Sequence, residues 1–291
     1  MPFRKEPARW QADLALALVA LVWGTTFVVV KQAITQISAM YFLSLRFSLA
    51  SICLLVLFLP TFRRMTFPQL AGGLRGGVIA GLFLWSGYVL QTFGLHYTSA
   101  GNSGFLTGLY IVLVPVIGAV VYRQRPSLGE VAGLTLATAG MIVMTLPTGG
   151  AHFSMNRGDL LTIGCAVAFA FHLLILGRYS KRERVEAVAL GQVACAAVLS
   201  TVFLSVEKPV AVWSWGVIVA IALTAVFATA IAFALQTWGQ KHTTATRTAL
   251  IFALEPVFAL ATAAVFGEPV RWVAIVGGSL ILAGILTVEM A

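Results

Sequence analysis

Two full charges lie deep within apolar runs, Arg46 in FLSLRFSLA and Glu255 in LIFALEPVFAL. Where such runs cross a bilayer, each charge costs at least ~2.5 kcal/mol on insertion scales and asks for a purpose. Glu255 reads as a proton site or a holder of a solute amine. Its structural alternative is a carboxylate that satisfies helix-end donors or Arg46 while Pro256 kinks the helix. At 1.5 Å per residue the two charges differ in depth by only about 5 Å in a ~30 Å core, so a direct or water-bridged pair is within reach. Arg247 and Lys241 flank the start of the same apolar run as Glu255. Snorkelling to headgroups and retention on one side explain them, and a gate or anion attractor at a mouth is the sharper alternative. His172 is the one histidine clearly inside an apolar run and shares a helix face with Phe169. His96, His152 and His242 read as loop residues.

Aromatic and amide groups complete the candidates. Trp23 and Thr26 lie mid-run; Trp85 and Tyr88 fall one turn apart and Gln91 continues their face; Asn102 and Tyr110 are two turns apart; Gln236 mirrors Gln91. An apolar pocket with a few placed polar groups is the usual form of a small-molecule site, although each aromatic taken alone could equally pack or mark an interface belt. Metal chemistry is not expected. Cys53, Cys165 and Cys195 are odd in number and lack CxxC spacing, no HExxH or paired acidic motif occurs, and no GxxxxGK[ST] follows a strand. Without those motifs, a membrane-embedded enzyme and any resident cofactor are disfavoured.

These groups are positioned by elements that composition defines. Of 291 residues, 59% are hydrophobic and 10% charged, against about 25% charged in a soluble domain. A soluble fold has too little interior for so much apolar surface. Ten apolar stretches of span length run over residues 12–30, 40–59, 71–92, 99–121, 128–146, 159–177, 187–205, 213–238, 245–266 and 270–289. Strands of a barrel would alternate, whereas Leu109 to Val121 is apolar on every side. The first run follows Arg4, Lys5 and Arg9 and reads as a signal anchor that is not cleaved. With the N-terminus inside, fourteen of the nineteen lysines and arginines fall in inner segments and four in outer ones. That asymmetry predicts two cytoplasmic termini, and it explains the net charge of +9 without nucleic acid. Glycines four apart, at 73, 77 and 81 and at 104 and 108, are read as internal helix packing. No dimer is inferred from them, so a monomer is expected.

The chain also repeats itself. Asp13-Leu14 matches Asp159-Leu160, Leu90-Gln91-Thr92 matches Leu235-Gln236-Thr237, Val114-Pro115-Val116 lies against Glu255-Pro256-Val257, and Ala139-Gly140 against Ala283-Gly284. Arg46 falls on Gln192. The order holds over five spans, so residues 1–147 and 155–291 read as two five-helix units. An odd number of helices per unit inverts the second copy, the arrangement in which two halves rock about a midplane site. Between Ala100 and Pro115 the first copy is four residues longer than the second between Ala245 and Pro256, which predicts an extra helical turn near the pocket.

The segments ALVALVWGTTFVVVKQAI (17–34), YTSAGNSGFLTGLYIVLVPVIG (97–118) and TTATRTALIFALEPVFALATAAVFGEP (243–269) resemble the EamA family of the drug/metabolite transporter superfamily. The resemblance implies an all-α membrane protein: ten transmembrane helices as two inverted five-helix repeats around a central cavity, lined by the first, third, fourth, sixth, eighth and ninth helices. That set excludes the second helix, so Arg46 is expected to be a static anchor, and it includes the sixth, so His172 is divided between pocket and packing. Gln124-Arg125-Pro126 departs from Gly267-Glu268-Pro269, and a role for a Gly-Glu pair in both halves is not carried over. The function implied is secondary transport of small organic metabolites, with export of an amino acid or relative across a bacterial inner membrane. A passive channel is the other alternative to an enzyme. Tight capture of a phosphorylated solute would need several cavity cations, and only Arg46 and Arg247 are available, so a zwitterionic, aromatic or apolar solute is favoured.

Overall fold

The computed structural model describes residues 9–123, 126–145, 155–265 and 272–290, all helices and short turns apart from one isolated bridge between Ile37 and Ala211. Arg4, Lys5, Arg125, His152, Gly267-Glu268-Pro269, Arg271 and the join expected between 147 and 155 lie outside the described residues. The helices are α1 (Arg9–Ala33), α2 (Ala39–Phe62), α3 (Phe67–Gly94), α4 (Ala100–Thr107), α5 (Tyr110–Tyr122), α6 (Leu128–Thr145), α7 (Arg157–Ser180), α8 (Val185–Val202), α9 (Trp215–Ala225), α10 (Ala232–His242), α11 (Ala245–Phe252), α12 (Leu254–Val265) and α13 (Trp272–Met290). Their starts carry local signals. Thr66 and Gln69 form a capping box before α3, Asn156 and Asp159 form one before α7, and Ser99, Ser214 and Thr244 accept first-turn N–H groups of α4, α9 and α11.

Among the described residues eight helical stretches are long and apolar enough to cross a bilayer, and two shorter apolar helices cover Leu128–Met144 and Trp272–Val288. Ten full-length spans were expected. The fourth and ninth are also not continuous. A tight turn at Gly108 and Leu109 separates α4 from α5, and one at Ala253 separates α11 from α12. Pro256 sits in the first turn of α12, where its missing N–H is harmless; it starts a helix there and does not merely bend one. Helices α4 and α11 both have eight residues, so of the four extra residues before Pro115 one lies in the break and three in the first turns of α5, and no extra turn lengthens the helix before the break.

The polarity of the fold is that of a membrane protein. Ile52, Val56, Val120, Val198, Val202, Ile275 and Leu286 are exposed, while Arg46, His172, Gln192, Gln236 and Gln240 are buried. Water is not the solvent that such a surface fits. The chain is therefore a multi-pass membrane protein, as the composition requires.

Glycines set the closest helix approaches. A Cβ at Gly77 would lie 2.5 Å from the Val188 carbonyl oxygen and 2.8 Å from the Gly191 Cα, and the contacts of Gly73 with Ala187 and Gly81 with Cys195 show α3 and α8 running parallel. Helices α6 and α13 cross antiparallel through Gly133 against Gly284 and Gly140 against Gly277. Gly104 does not fit the packing expectation, since a Cβ there would meet nothing within 4 Å. The three cysteines are free.

Candidate functional site

The central cavity is lined by side chains from α1, α2, α3, α4, α5, α7, α10, α11 and α12. Its volume is about 60 Å³, several times the ~10–15 Å³ that one water requires. A second hollow of about 560 Å³ between α5 and α6 is walled by Val112, Pro115, Val116, Leu134, Ile142 and their neighbours, with no charged group among the described residues. Convergent polar chemistry belongs to the first.

Arg46 belongs to that cavity, although the second helix was expected to stay outside it. It is 3% exposed. Its Nε donates to Thr229 Oγ1 at 2.7 Å, and Nη2 donates to Tyr88 Oη at 3.2 Å and to the Ala228 carbonyl at 3.3 Å. The guanidinium also lies over the Tyr88 ring, 4.7 Å from its centroid. The chain makes room for this through a π-helical segment, Val226–Ile231, in which Thr229 Oγ1 bonds back five residues to the Thr224 carbonyl. The widened turn presents the Ala228 carbonyl to both Arg46 Nη2 and Trp23 Nε1 (2.9 Å). Nothing in the sequence reading marked Thr229 or this bulge.

Glu255 lies across the same cavity, on the first turn of α12. Tyr110 Oη donates to its Oε1 at 3.0 Å. No ion pair joins Glu255 to Arg46 among the described residues, contrary to the pairing their depths allowed. Each is held by neutral groups, and each keeps one polar atom, Nη1 and Oε2, free of any hydrogen bond among the described residues.

Of the other expected residues, Trp23, Thr26, Tyr88, Gln91, Tyr110, His172 and Gln236 line the cavity. Thr26 Oγ1 bonds to the Trp23 carbonyl, and Gln91 Nε2 donates to Thr107 Oγ1 at 3.0 Å. His172 Nε2 meets Gln192 Oε1 at 2.7 Å, and Gln192 Nε2 donates onward to Thr237 Oγ1. Gln236 is buried, and its Oε1 has no hydrogen-bond partner among the described residues. The sequence reading missed Phe27, Thr107, Phe233 and Phe252, whose apolar or small side chains look like ordinary packing until the helices are placed. Trp23 packs edge-on to Phe252 at 5.1 Å, and Tyr88 to Phe169 at 5.5 Å, so the walls are aromatic.

Four expectations are corrected. Asn102 is exposed on the first turn of α4, where its N–H is capped by Ser99, and does not reach the cavity. Trp85 packs on Phe203 at 5.1 Å and does not line the cavity. Arg247 does not snorkel. It is buried in a two-point ion pair with Asp13, Nε to Oδ1 at 3.0 Å and Nη2 to Oδ2 at 2.9 Å, which ties the start of α11 to the start of α1. His242 closes the last turn of α10, against Trp238, and is not a loop residue. No group of His, Cys, Asp and Glu suited to a metal occurs among the described residues.

Comparison with known proteins adds identity to this geometry. Residues 10–146 and 156–290 each match the EamA-like transporter family. An uncharacterized transporter of Archaeoglobus fulgidus is 36% identical over 97% of this chain and 87% of its own. A probable terminal-alkyne amino-acid exporter of Streptantibioticus cattleyicolor is 25% identical over 96% of this chain and 93% of its own. A protein solved by crystallography superposes with a TM-score of 0.77 at 20% identity, covering 97% of this chain and 98% of the other, a likeness of fold.

Proposed function

Since the chain belongs to the EamA-like transporter family, we propose that it is a secondary transporter that exports an amino acid or a related zwitterionic metabolite by alternating access. One observation carries this reading. A guanidinium and a carboxylate face one aromatic cavity, each with a free polar atom, and they do not bond to each other. A solute bearing both a carboxylate and an amine supplies the two missing partners at once, and the aromatic walls suit an apolar side chain. A phosphorylated solute would find a single cation opposed by a carboxylate. The amino-acid exporter among the relatives supports the same class.

Alternating access needs two halves that can rock, and several features support the division at 1–147 and 155–291 as inverted five-helix units. The family matches the chain twice, on either side of that join. The equivalent helices α1 and α7 run in opposite directions. Lys31, near the end of α1, donates to the Thr98 carbonyl at 2.9 Å, and Thr98 Oγ1 donates at 2.7 Å to Asp159 on the first turn of α7. The reciprocal contacts of Gly133 with Gly284 and Gly140 with Gly277 are what a two-fold axis produces if Ala139-Gly140 corresponds to Ala283-Gly284. The short helices α6 and α13 are then the fifth and tenth spans. The charge asymmetry supports placing both termini in the cytoplasm, and the proposal takes the protein as an inner-membrane monomer.

The test is counterflow in proteoliposomes. Preloading with an unlabelled amino acid should accelerate uptake of the labelled one, and initial rates should saturate. Absence of acceleration overturns the transporter reading, and flux that rises linearly with concentration would leave a channel.

A further inference from the structure

The cavity is off-centre. It reaches Val30 and Leu95 at the end where α1 finishes, and stops at Leu173, Gln236 and Phe252 on the way to the end where α1 begins. Below that floor the bundle is closed, but its closure is not uniformly apolar. Gln236 and Gln240 lie one turn apart on the same face of α10, both are fully or almost fully buried, and the Oε1 of each has no hydrogen-bond partner among the described residues. Gln240 Nε2 donates to the Leu173 carbonyl at 3.1 Å, which fixes the amide so that its orphan oxygen is not a matter of orientation. A buried unpaired carbonyl is disfavoured in either solvent, and two in a row starting at the cavity floor are not needed for packing. Past them, Leu16 of α1 seats against Gly239, where a Cβ would lie 2.9 Å from its Cγ. One turn further the Arg247–Asp13 pair spans α11 and α1.

We propose that the Gln236–Gln240 face of α10 is the shut half of the solute path, and that the Asp13–Arg247 ion pair with Leu16 is the latch that holds it shut. When α1 and α11 part, the orphan amides meet water or the polar head of the solute, and the path opens to the end where α1 begins. The counterpart in the other half fits this assignment. Gln91, placed opposite Gln236 by the repeat, lines the cavity, is only partly buried, and its Nε2 donates to Thr107 Oγ1. This inference rests on the transporter reading, but its test does not use transport.

The test reads water access to Gln240→Cys in membranes with a water-soluble maleimide, with the native chain as background for its own three cysteines. A thiol reacts only where water and reagent reach it. With the latch intact, Gln240→Cys should be protected. Adding Asp13→Asn should speed its labelling by at least about tenfold, because the closed state loses an interaction the open state lacks. The reversed pair, Asp13→Arg with Arg247→Asp, should restore protection. If Asp13→Asn does not fold, Arg247→Lys, which keeps the charge and loses the two-point grip, should give an intermediate rate. Labelling that is fast with the latch intact, or unchanged when it is broken, overturns the proposal. If wild-type protein shows no counterflow while labelling responds as described, the transporter reading fails and the latch stands; normal counterflow with unresponsive labelling removes the latch alone.

Discussion

Replacing Arg46 by Met removes the cavity's cation at nearly constant volume, and the structure allows its two effects to be separated. The guanidinium makes three bonds to groups outside its own helix, to Thr229, Tyr88 and the Ala228 carbonyl, the last long at 3.3 Å. Interhelical hydrogen bonds within bilayers average ~0.6 kcal/mol and reach ~1.7 at most, so losing three costs about 2 kcal/mol. Removing a charge from the membrane returns at least ~2.5 kcal/mol, so the fold should change little in stability. Binding has no such compensation. A charge-assisted hydrogen bond to a solute carboxylate contributes roughly 1.5–3 kcal/mol, or about ten- to a hundredfold in affinity. The assay is thermal stabilisation of purified protein by an aromatic α-amino acid and, in parallel, by the amine that lacks its carboxylate. Arg46→Met should weaken binding of the amino acid by that factor and leave the amine nearly unaffected. Equal losses for the two solutes, or a large fall in the melting temperature of the unliganded variant, would show that Arg46 acts through the fold and refute the carboxylate role.

Two further tests address other parts of the structure. Gly140→Ala places a Cβ 2.4 Å from the Gly277 carbonyl oxygen and should cost about 1–3 kcal/mol. Gly104→Ala meets nothing and should be neutral or gain up to ~1 kcal/mol; thermal unfolding in one detergent ranks them, and the opposite order would break the α6–α13 packing account. Glu255→Gln keeps an acceptor for Tyr110 and removes the charge. If Glu255 carries the coupled proton, flux in this variant should lose its pH dependence, and a normal pH profile in liposomes excludes that role.

Helices and their order were legible because lipid imposes a simple rule: a span is about 20 apolar residues, and composition alone enforces it. The interruptions were not. Pro256 signals an irregularity, but Gly108 and Ala253, where the chain turns, look like any small residue in an apolar run, and the π segment at Val226–Ile231 is as apolar as the helix around it. Individual site residues were legible where a polar or aromatic side chain stood out against apolar neighbours, as with Trp23, Gln91, His172 and Glu255. Which face each presents was not, since helix rotation is set by packing against other helices. Trp85 and Tyr88 are only three residues apart, yet one packs on Phe203 and the other lines the cavity. Arg247 shows the same limit. Its partner Asp13 is 234 positions away and was noticed only as a repeat marker.

That repeat marker carries a last consequence. Under the proposed repeat Asp13 and Asp159 are equivalent, and each bonds to the start of a helix that the proposal assigns to the other unit, Asp13 to Arg247 at α11 and Asp159 to Thr98 just before α4. The two ends are therefore closed by the same device made with different chemistry, a two-point ion pair at one and a hydroxyl–carboxylate bond at the other. Removing one partner of a buried ion pair costs about 3–5 kcal/mol, against roughly 1.5–3 for a hydrogen bond to a charged group. In strictly symmetric halves the two conformations would be equal in energy; on the proposed alternating-access reading the ionic end would be the firmer seal, and the conformation that opens at the Thr98 end would be favoured at rest. The cavity's reach toward Val30 and Leu95, and the unpartnered amide oxygens of Gln236 and Gln240 at the other end, are what such a bias would produce.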